Sequence, residues 1–274
     1  MSDYSVKDIQ SVATRMRRHI LIMAANGKTS HVGSALSCVE ILAVLYFRFM
    51  NVSSENWLAP EANRFILSKG HGAKAWYAVL AEAEFISLKE LDNYAKDGSY
   101  LGEHPSHCHT PGIGLSTGSL GHGLGVGAGQ ALAKKLDQRQ GRVFVLVSDG
   151  ECNEGSIWEA AMCATQHKLD NLMVIVDDNH MQAMGPSRQI SALDSLKDKW
   201  AAFGWKVKEC DGHDIDALIN SCEELFVNDG KPSIVIARTV LGKGVSFMED
   251  KILWHYQIPS EENLRVALKE LEPK

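Results

Sequence analysis

The sequence predicts an α/β fold in which a parallel sheet forms the middle of three layers and helices cover both of its faces. Three observations carry that prediction. Residues 143–147 (VFVLV) form an unbroken run of β-branched and large apolar residues, as a strand buried on both sides requires, and Ser148-Asp149-Gly150 ends it. Residues 154–167 place Ile157, Ala160, Ala161 and Ala164 at helical spacing, and Asp170-Asn171 breaks the pattern. A second apolar run, 172–176, then closes on Asp177-Asp178-Asn179. Strand, helix and strand in that order make one βαβ unit, whose right-handed crossover can set its two strands side by side and parallel.

The other elements follow in chain order. After a polar start (MSDYS), Ile9, Val12, Met16, Ile20 and Met23 lie on one helical stripe interrupted by Arg15, Arg17 and Arg18. This predicts an amphipathic helix at the edge of a soluble domain, neither a signal peptide nor a membrane span. Ser37 and Glu40 have capping-box spacing and should open an apolar helix over 41–49, with His31 in the loop before it. Residues 64–68 read as a strand leading into Lys69-Gly70-His71-Gly72. The glycines at 121, 123, 125, 127 and 129 have a dinucleotide-like spacing, but no buried strand precedes them, so they predict close helix packing instead. Asn153 should cap the helix of the first βαβ unit. A strand at 205–209, the turn Asp211-Gly212-His213-Asp214, a helix through Ile219 or beyond and a strand at 233–239 add further βα units.

Composition bounds this reading. The 274 residues, 45% of them apolar and undivided by any low-complexity linker, are expected to form one domain over 1–274. A formal charge of −6 argues against a broad nucleic-acid surface. Six scattered cysteines without CxxC pairs point to reduced thiols and a cytoplasmic location.

The chemistry is expected where the two strands of the central unit end. Asp149 and Asn179 lie 30 residues apart and can converge at one carboxyl edge of the sheet, where α/β folds bind ligands. Magnesium takes oxygen ligands in octahedral geometry and keeps phosphate oxygens in its shell. Asp149, the Asn179 amide and the main-chain carbonyl of Met181 would supply three ligands and leave room for a diphosphate. His104, His107, Cys108 and His109 suggest zinc at first sight, but they lack both the helix-spaced HExxH pair and a paired-cysteine knuckle.

The acidic turn followed at this distance by Asn resembles the thiamin diphosphate enzymes, and EGSIWEAAMCATQHKLDNLMVIVDDN (154–179) is similar to transketolase. Ser148 stands where that family usually has Gly, a change tolerable where only backbone is used. Other blocks resemble transketolase too: the His31 segment, Lys69-Gly70-His71-Gly72, Glu103-His104-Pro105, residues 116–123 and residues 242–255. The resemblance implies a thiamin diphosphate-binding fold with thiamin diphosphate and Mg²⁺ as cofactors. By it, His71 contacts the diphosphate, Gly118, Ser119 and Leu120 line the middle of the cofactor, Gly150 and Asn179 bind the cofactor too, His31 and His104 face the sugar, and His255 is a further catalytic histidine that also binds cofactor. Glu154 matches a family glutamate, which implies a part in a proton relay between paired active sites.

The resemblance covers only the first part of a full-length transketolase, so the module that holds the aminopyrimidine and its activating glutamate is expected on a separate C-terminal subunit, in an α₂β₂ assembly. The implied reaction moves a two-carbon ketol unit from a ketose or its phosphate to an aldose, with no nucleic acid or membrane partner. Alternatives are the α subunit of a thiamin-dependent 2-oxo-acid dehydrogenase, a non-catalytic cofactor-binding paralogue and a deoxyxylulose-phosphate synthase fragment. Ketol transfer against 2-oxo-acid decarboxylation separates the first, and pyruvate as donor marks the last.

Overall fold

The computed structural model describes residues 4–192 and 195–272, so the extreme ends of the 1–274 unit, including the first residues of MSDYS, lie outside the described residues. Its chain order begins with helices α1 (Val6–Asn26), α2 (Val32–Ser37) and α3 (Val39–Val44), strand β1 (Arg64–Leu67) and helices α4 (Ala73–Glu82) and α5 (His122–Leu136). The central unit follows as β2 (Val143–Ser148), α6 (Gly155–Gln166) and β3 (Leu172–Asp178), and then a two-stranded hairpin of β4 (Met181–Gln182) and β5 (Gly185–Pro186). Helices α7 (Ser187–Ile190) and α8 (Leu196–Ala202), strand β6 (Lys206–Asp211), helix α9 (Ile215–Leu225), strand β7 (Ser233–Arg238) and helix α10 (Glu261–Glu270) complete it.

The main sheet is parallel throughout, in the order β1-β2-β3-β7-β6. Alternation along each strand divides the core into two layers. Phe144, Leu146, Met173, Ile175 and Val235 face the layer built by α1 to α4 and α9, whereas Val143, Val145, Val147, Val174 and Ile236 face the layer built by α5, α6 and α8. Both faces are covered, as the unbroken apolar runs required.

Three local expectations are corrected. Ser37 and Glu40 form no capping box: the helix starts at Val32, is interrupted at Cys38, and continues through α3 into a π turn at Leu45–Phe49. Ser37 is buried and gives its hydroxyl to Asp177 at 2.6 Å, a long-range bond that local spacing cannot reveal. Asn153 does not cap α6, because Gly150–Asn153 forms a 3₁₀ turn and Glu154 occupies the position before the helix. Of the glycines at 121–129, Gly121, Gly123 and Gly127 pack closely, since a Cβ there would lie within 2.5 Å of Ser156, Ser68 and Val145 respectively, but a Cβ on Gly125 or Gly129 would meet nothing within 4 Å.

The stripe of α1 is buried against α3, α4 and α10 while its opposite face, with Lys7, Ser11 and Arg15, is exposed, and Arg17 is buried with the stripe. The Arg17 guanidinium pairs with Glu40 at 2.7 Å and its Nε donates to the Lys243 carbonyl at 3.0 Å. His213 Nδ1 meets the same carboxylate at 3.0 Å, while its Nε2 accepts the Val240 N–H at 2.9 Å. Burial alone would raise the Glu40 carboxyl, but the Arg17 charge and the His213 hydrogen bond hold it down to about 2. Arg17→Met is expected to cost about 3–5 kcal/mol, because it leaves a buried carboxylate without its main counter-charge. Urea denaturation of the chain checks this; a loss of about 1 kcal/mol or less, as for a surface pair, would contradict it.

Candidate active site

Register brings the two strand ends together. Ser148 lies opposite Asp177, and the Asp149 N–H donates to the Asp177 carbonyl at 3.3 Å, so Asp149 and Asn179 emerge side by side at the carboxyl edge. Asp149 is buried, accepts the Ser187 hydroxyl at Oδ2, and leaves Oδ1 buried without a partner. Burial, in spite of that hydroxyl, pushes its carboxyl up to about 7. The Asn179 amide oxygen accepts the Met181 N–H at 3.1 Å, which holds the Met181 peptide beside it. An orphaned, desolvated carboxylate oxygen at the same sheet edge as an amide oxygen fits a hard divalent cation. Among the described residues, Asp149, Asp178 and His180 also bring ligand atoms within 4.8 Å of one another, and His180 pairs with Asp178 at 3.1 Å. Sequence reasoning gave Asp178 and His180 no role.

Two cavities meet at this edge. A cleft of about 570 Å³ is lined by His31, His71, His104, Gly118, Leu120, Gly150, Glu154, Asn179, Met181 and His255. Asp149 instead lines the neighbouring cavity of about 430 Å³, with Asp178 and His180. The cleft thus gathers residues from sequence blocks more than 200 positions apart. Ser119 is the exception: it is exposed and does not line the cleft.

Each histidine is placed by its own element. His31 stands at the start of α2 in the left-handed region (φ 61°), its N–H donating to the His255 carbonyl at 3.1 Å. Its ring lies 5.0 Å from that of His255 and 5.4 Å from that of His71, and its Nδ1 is buried without a partner. His71 belongs to the 3₁₀ turn after β1, and its ring is 5.8 Å from that of His255. The Tyr77 hydroxyl reaches the His104 carbonyl at 3.2 Å, and Gly118 lets its loop approach the His104 ring, since a Cβ would lie 3.2 Å from Cδ2. His107 is exposed and bonded to Ser116 at 2.8 Å, outside this cluster.

Beneath the cleft lies a buried polar layer that sequence reasoning missed. Lys69 donates to Asp177 and, at 2.9 Å, to the Ser34 carbonyl; Thr239 donates to the other Asp177 oxygen. Burial would lower Lys69, but the Asp177 charge outweighs it and holds the ammonium charged. Glu151 accepts from Ser68 and from the Gly121 N–H at 2.7 Å, tying β1 and the start of α5 to the acidic turn. Ser148 contributes more than backbone: its hydroxyl accepts the Glu151 N–H at 3.2 Å and braces the 3₁₀ turn. A polar residue next to a recognised turn was the available signal in each case.

Burial, then the charges of His255, Lys74, His104 and Lys69, lowers His31 to about 4, and burial followed by the Lys69 charge holds His71 well below the usual imidazole range. A group kept neutral by folding contributes fully above its ordinary value near 6.5 and loses that contribution as pH falls toward the folded value. His31→Asn removes the titration with a residue that tolerates the left-handed backbone. The wild type is therefore expected to lose stability relative to His31→Asn as pH drops from 6.5 to about 4. Parallel melting curves for the two proteins across that window would sink the assignment.

The family model described as "Transketolase, thiamine diphosphate binding domain" matches residues 10–266. An apulose-4-phosphate transketolase subunit from Actinobacillus succinogenes is 43% identical over 269 residues, which cover 98% of this chain and 97% of the relative. The 6-deoxy-6-sulfo-D-fructose transketolase subunit SqwG of a Clostridium species is 41% identical, covering 99% and 98%. The crystal structure of transketolase from Campylobacter jejuni superposes with a TM-score of 0.91 at 26% identity, covering 98% of this chain and 43% of that one. Transketolase from Leishmania mexicana gives 0.90 at 27% identity and 41% of its length, so the chain spans about two fifths of each of these solved proteins.

Proposed function

The chain belongs to the transketolase family, matching its thiamine diphosphate binding domain, and from that premise we propose that residues 1–274 act as one unit, the diphosphate- and metal-binding half of a two-subunit transketolase. The reaction is transfer of a two-carbon ketol unit from a ketose or ketose phosphate to an aldose. The observation that carries the reading is the convergence of His31, His71, His104 and His255 with Asn179 and Met181 on one cleft. The relatives that this chain matches end to end are named as transketolase subunits, which supports a separate complementary chain and, as our reading, an α₂β₂ complex in the cytoplasm.

Asp149, Asn179 and the Met181 carbonyl hold Mg²⁺, with Asp149 Oδ1 the unpartnered ligand atom. His71 and Gly150 receive the diphosphate, and Gly118 and Leu120 flank the middle of the cofactor, where the exposed Ser119 offers backbone at most. Thiamin diphosphate, when bound, supplies the nucleophile and electron sink for cleavage beside a carbonyl. The protein orients the sugar: His31, His104 and His255 give and accept hydrogen bonds at its hydroxyl and carbonyl oxygens, with His255 buried, His31 half-buried and His104 exposed at the rim. Glu154, exposed at the head of α6 and lining the cleft, is placed to pass a proton toward a second site.

The test is ketol transfer by this chain mixed with its candidate partner, thiamin diphosphate, magnesium and a ketose phosphate with an aldose phosphate. Turnover is expected for the pair. His104→Ala should lower it by about 100-fold or more while changing cofactor affinity by less than about threefold. Turnover at the wild-type rate by that variant, or decarboxylation of a 2-oxo acid in place of ketol transfer, would overturn the reading.

A further inference from the structure

We propose that Ser34 is a positioning residue for His255: its buried hydroxyl donates to Nδ1 and fixes the ring as the tautomer protonated on Nε2, so that His255 presents a hydrogen-bond donor to the cleft. The inference rests on the proposed ketol-transfer site and adds to it the direction of one hydrogen bond to substrate.

Ser34 Oγ lies 3.2 Å from His255 Nδ1, and among the described residues this is the only hydrogen bond of that hydroxyl. Both residues are buried. If Nδ1 carried the proton, Ser34 would accept it and leave its own hydrogen buried without an acceptor. If Ser34 donates, the hydroxyl and the ring nitrogen are both satisfied, and the imidazole proton resides on Nε2. Burial, then the nearby Lys69 charge, holds His255 below the ordinary imidazole range, so the ring is neutral and has a tautomer to set.

The serine is itself held rigidly. Its carbonyl accepts Lys69 Nζ at 2.9 Å, and the His255 carbonyl accepts the His31 N–H at 3.1 Å. Serine and imidazole therefore cannot drift apart without disturbing the Lys69–Asp177 pair or the turn at His31. An N–H donor at this place suits an acceptor oxygen, the carbonyl or a hydroxyl of a sugar. A histidine with the opposite tautomer would instead favour taking a proton from the substrate.

The tautomer is read from ¹⁵N chemical shifts of histidine-labelled chain, and the kinetics from the chain together with its complementary partner. The wild type is expected to show His255 protonated on Nε2. Ser34→Ala should populate the Nδ1-protonated form and lower kcat by on the order of tenfold with the KM for thiamin diphosphate unchanged, and Ser34→Thr should retain both wild-type properties. A wild-type ring protonated on Nδ1 overturns the proposal, as does a kcat loss in Ser34→Ala with the tautomer unchanged. If the assembled protein transfers no ketol unit, the proposed function fails, while the ¹⁵N measurement on the chain alone still decides the role of Ser34.

Discussion

Asp149→Asn is expected to weaken magnesium-dependent binding of thiamin diphosphate by at least about 100-fold, and to leave the ligand-free chain as stable as the wild type or more so. The two effects have one cause. Burial pushes the Asp149 carboxyl up to about 7, and its Oδ1 has no partner, so near neutral pH the ionised group is a cost to the empty fold. A divalent cation removes that cost, and the same unpaired charge provides its affinity. Asparagine keeps an acceptor for the Ser187 hydroxyl but cannot neutralise a cation that already faces a diphosphate. Asn179→Ala should lose binding for the complementary reason, since the amide oxygen also fixes the Met181 peptide at 3.1 Å. Isothermal titration of the assembled enzyme and thermal melting of the isolated chain measure the two halves. Unchanged cofactor affinity in both variants would reject the metal site, and a melting point several degrees lower in Asp149→Asn would make the residue structural.

The residues proposed to hold the metal could be brought together before the structure because their placement depends on strand ends, and strand ends leave a local trace. An apolar run buried on both faces must stop where a polar turn begins, so Asp149 and Asn179 were placed by β2 and β3 alone. His31, His71, His104 and His255 were visible only through resemblance, because nothing in the spacing of four histidines across more than 200 residues says that they will line one cleft. What stayed hidden was the layer under them. Lys69, Asp177, Ser34, Ser37 and Glu151 make their bonds across elements, and a buried lysine or serine has no sequence pattern that distinguishes it from a surface one. The failed capping box at Ser37 is the clearest case: the residue types were right for a cap, but a bond to Asp177, 140 residues away, claimed the hydroxyl. Ser148 shows the same effect in reverse, since a position expected to contribute only backbone contributes a side-chain brace as well.

Replacing Gly125 and Gly129 together with Arg is expected to abolish assembly with the complementary chain, and ketol transfer with it, without harming the isolated protein. Helix α5 presents Gly125, Gly129 and Ala133 outward, flanked by the exposed Val126 and Leu136, and Met162 and Cys163 of the adjoining α6 are exposed as well. A Cβ at either glycine meets nothing within 4 Å, so no contact inside this chain requires their small size. Glycine in the interior of a helix costs up to about 1 kcal/mol relative to a good helix former, so the variant should melt at or above the wild-type temperature. The cost is explained if another protein approaches the helix backbone closely, and the face is continuous with the cofactor cleft through Leu120 and Glu154 at the heads of the two helices. Two arginines there would hold a partner off and bury unpaired charge against it. On this reading the wild-type chain alone transfers no ketol unit, and the variant fails to gain activity when the partner is added. Size-exclusion chromatography of the mixture, with the assay run on the same fractions, tests both statements; a double variant that assembles and turns over like the wild type would show that the partner sits elsewhere.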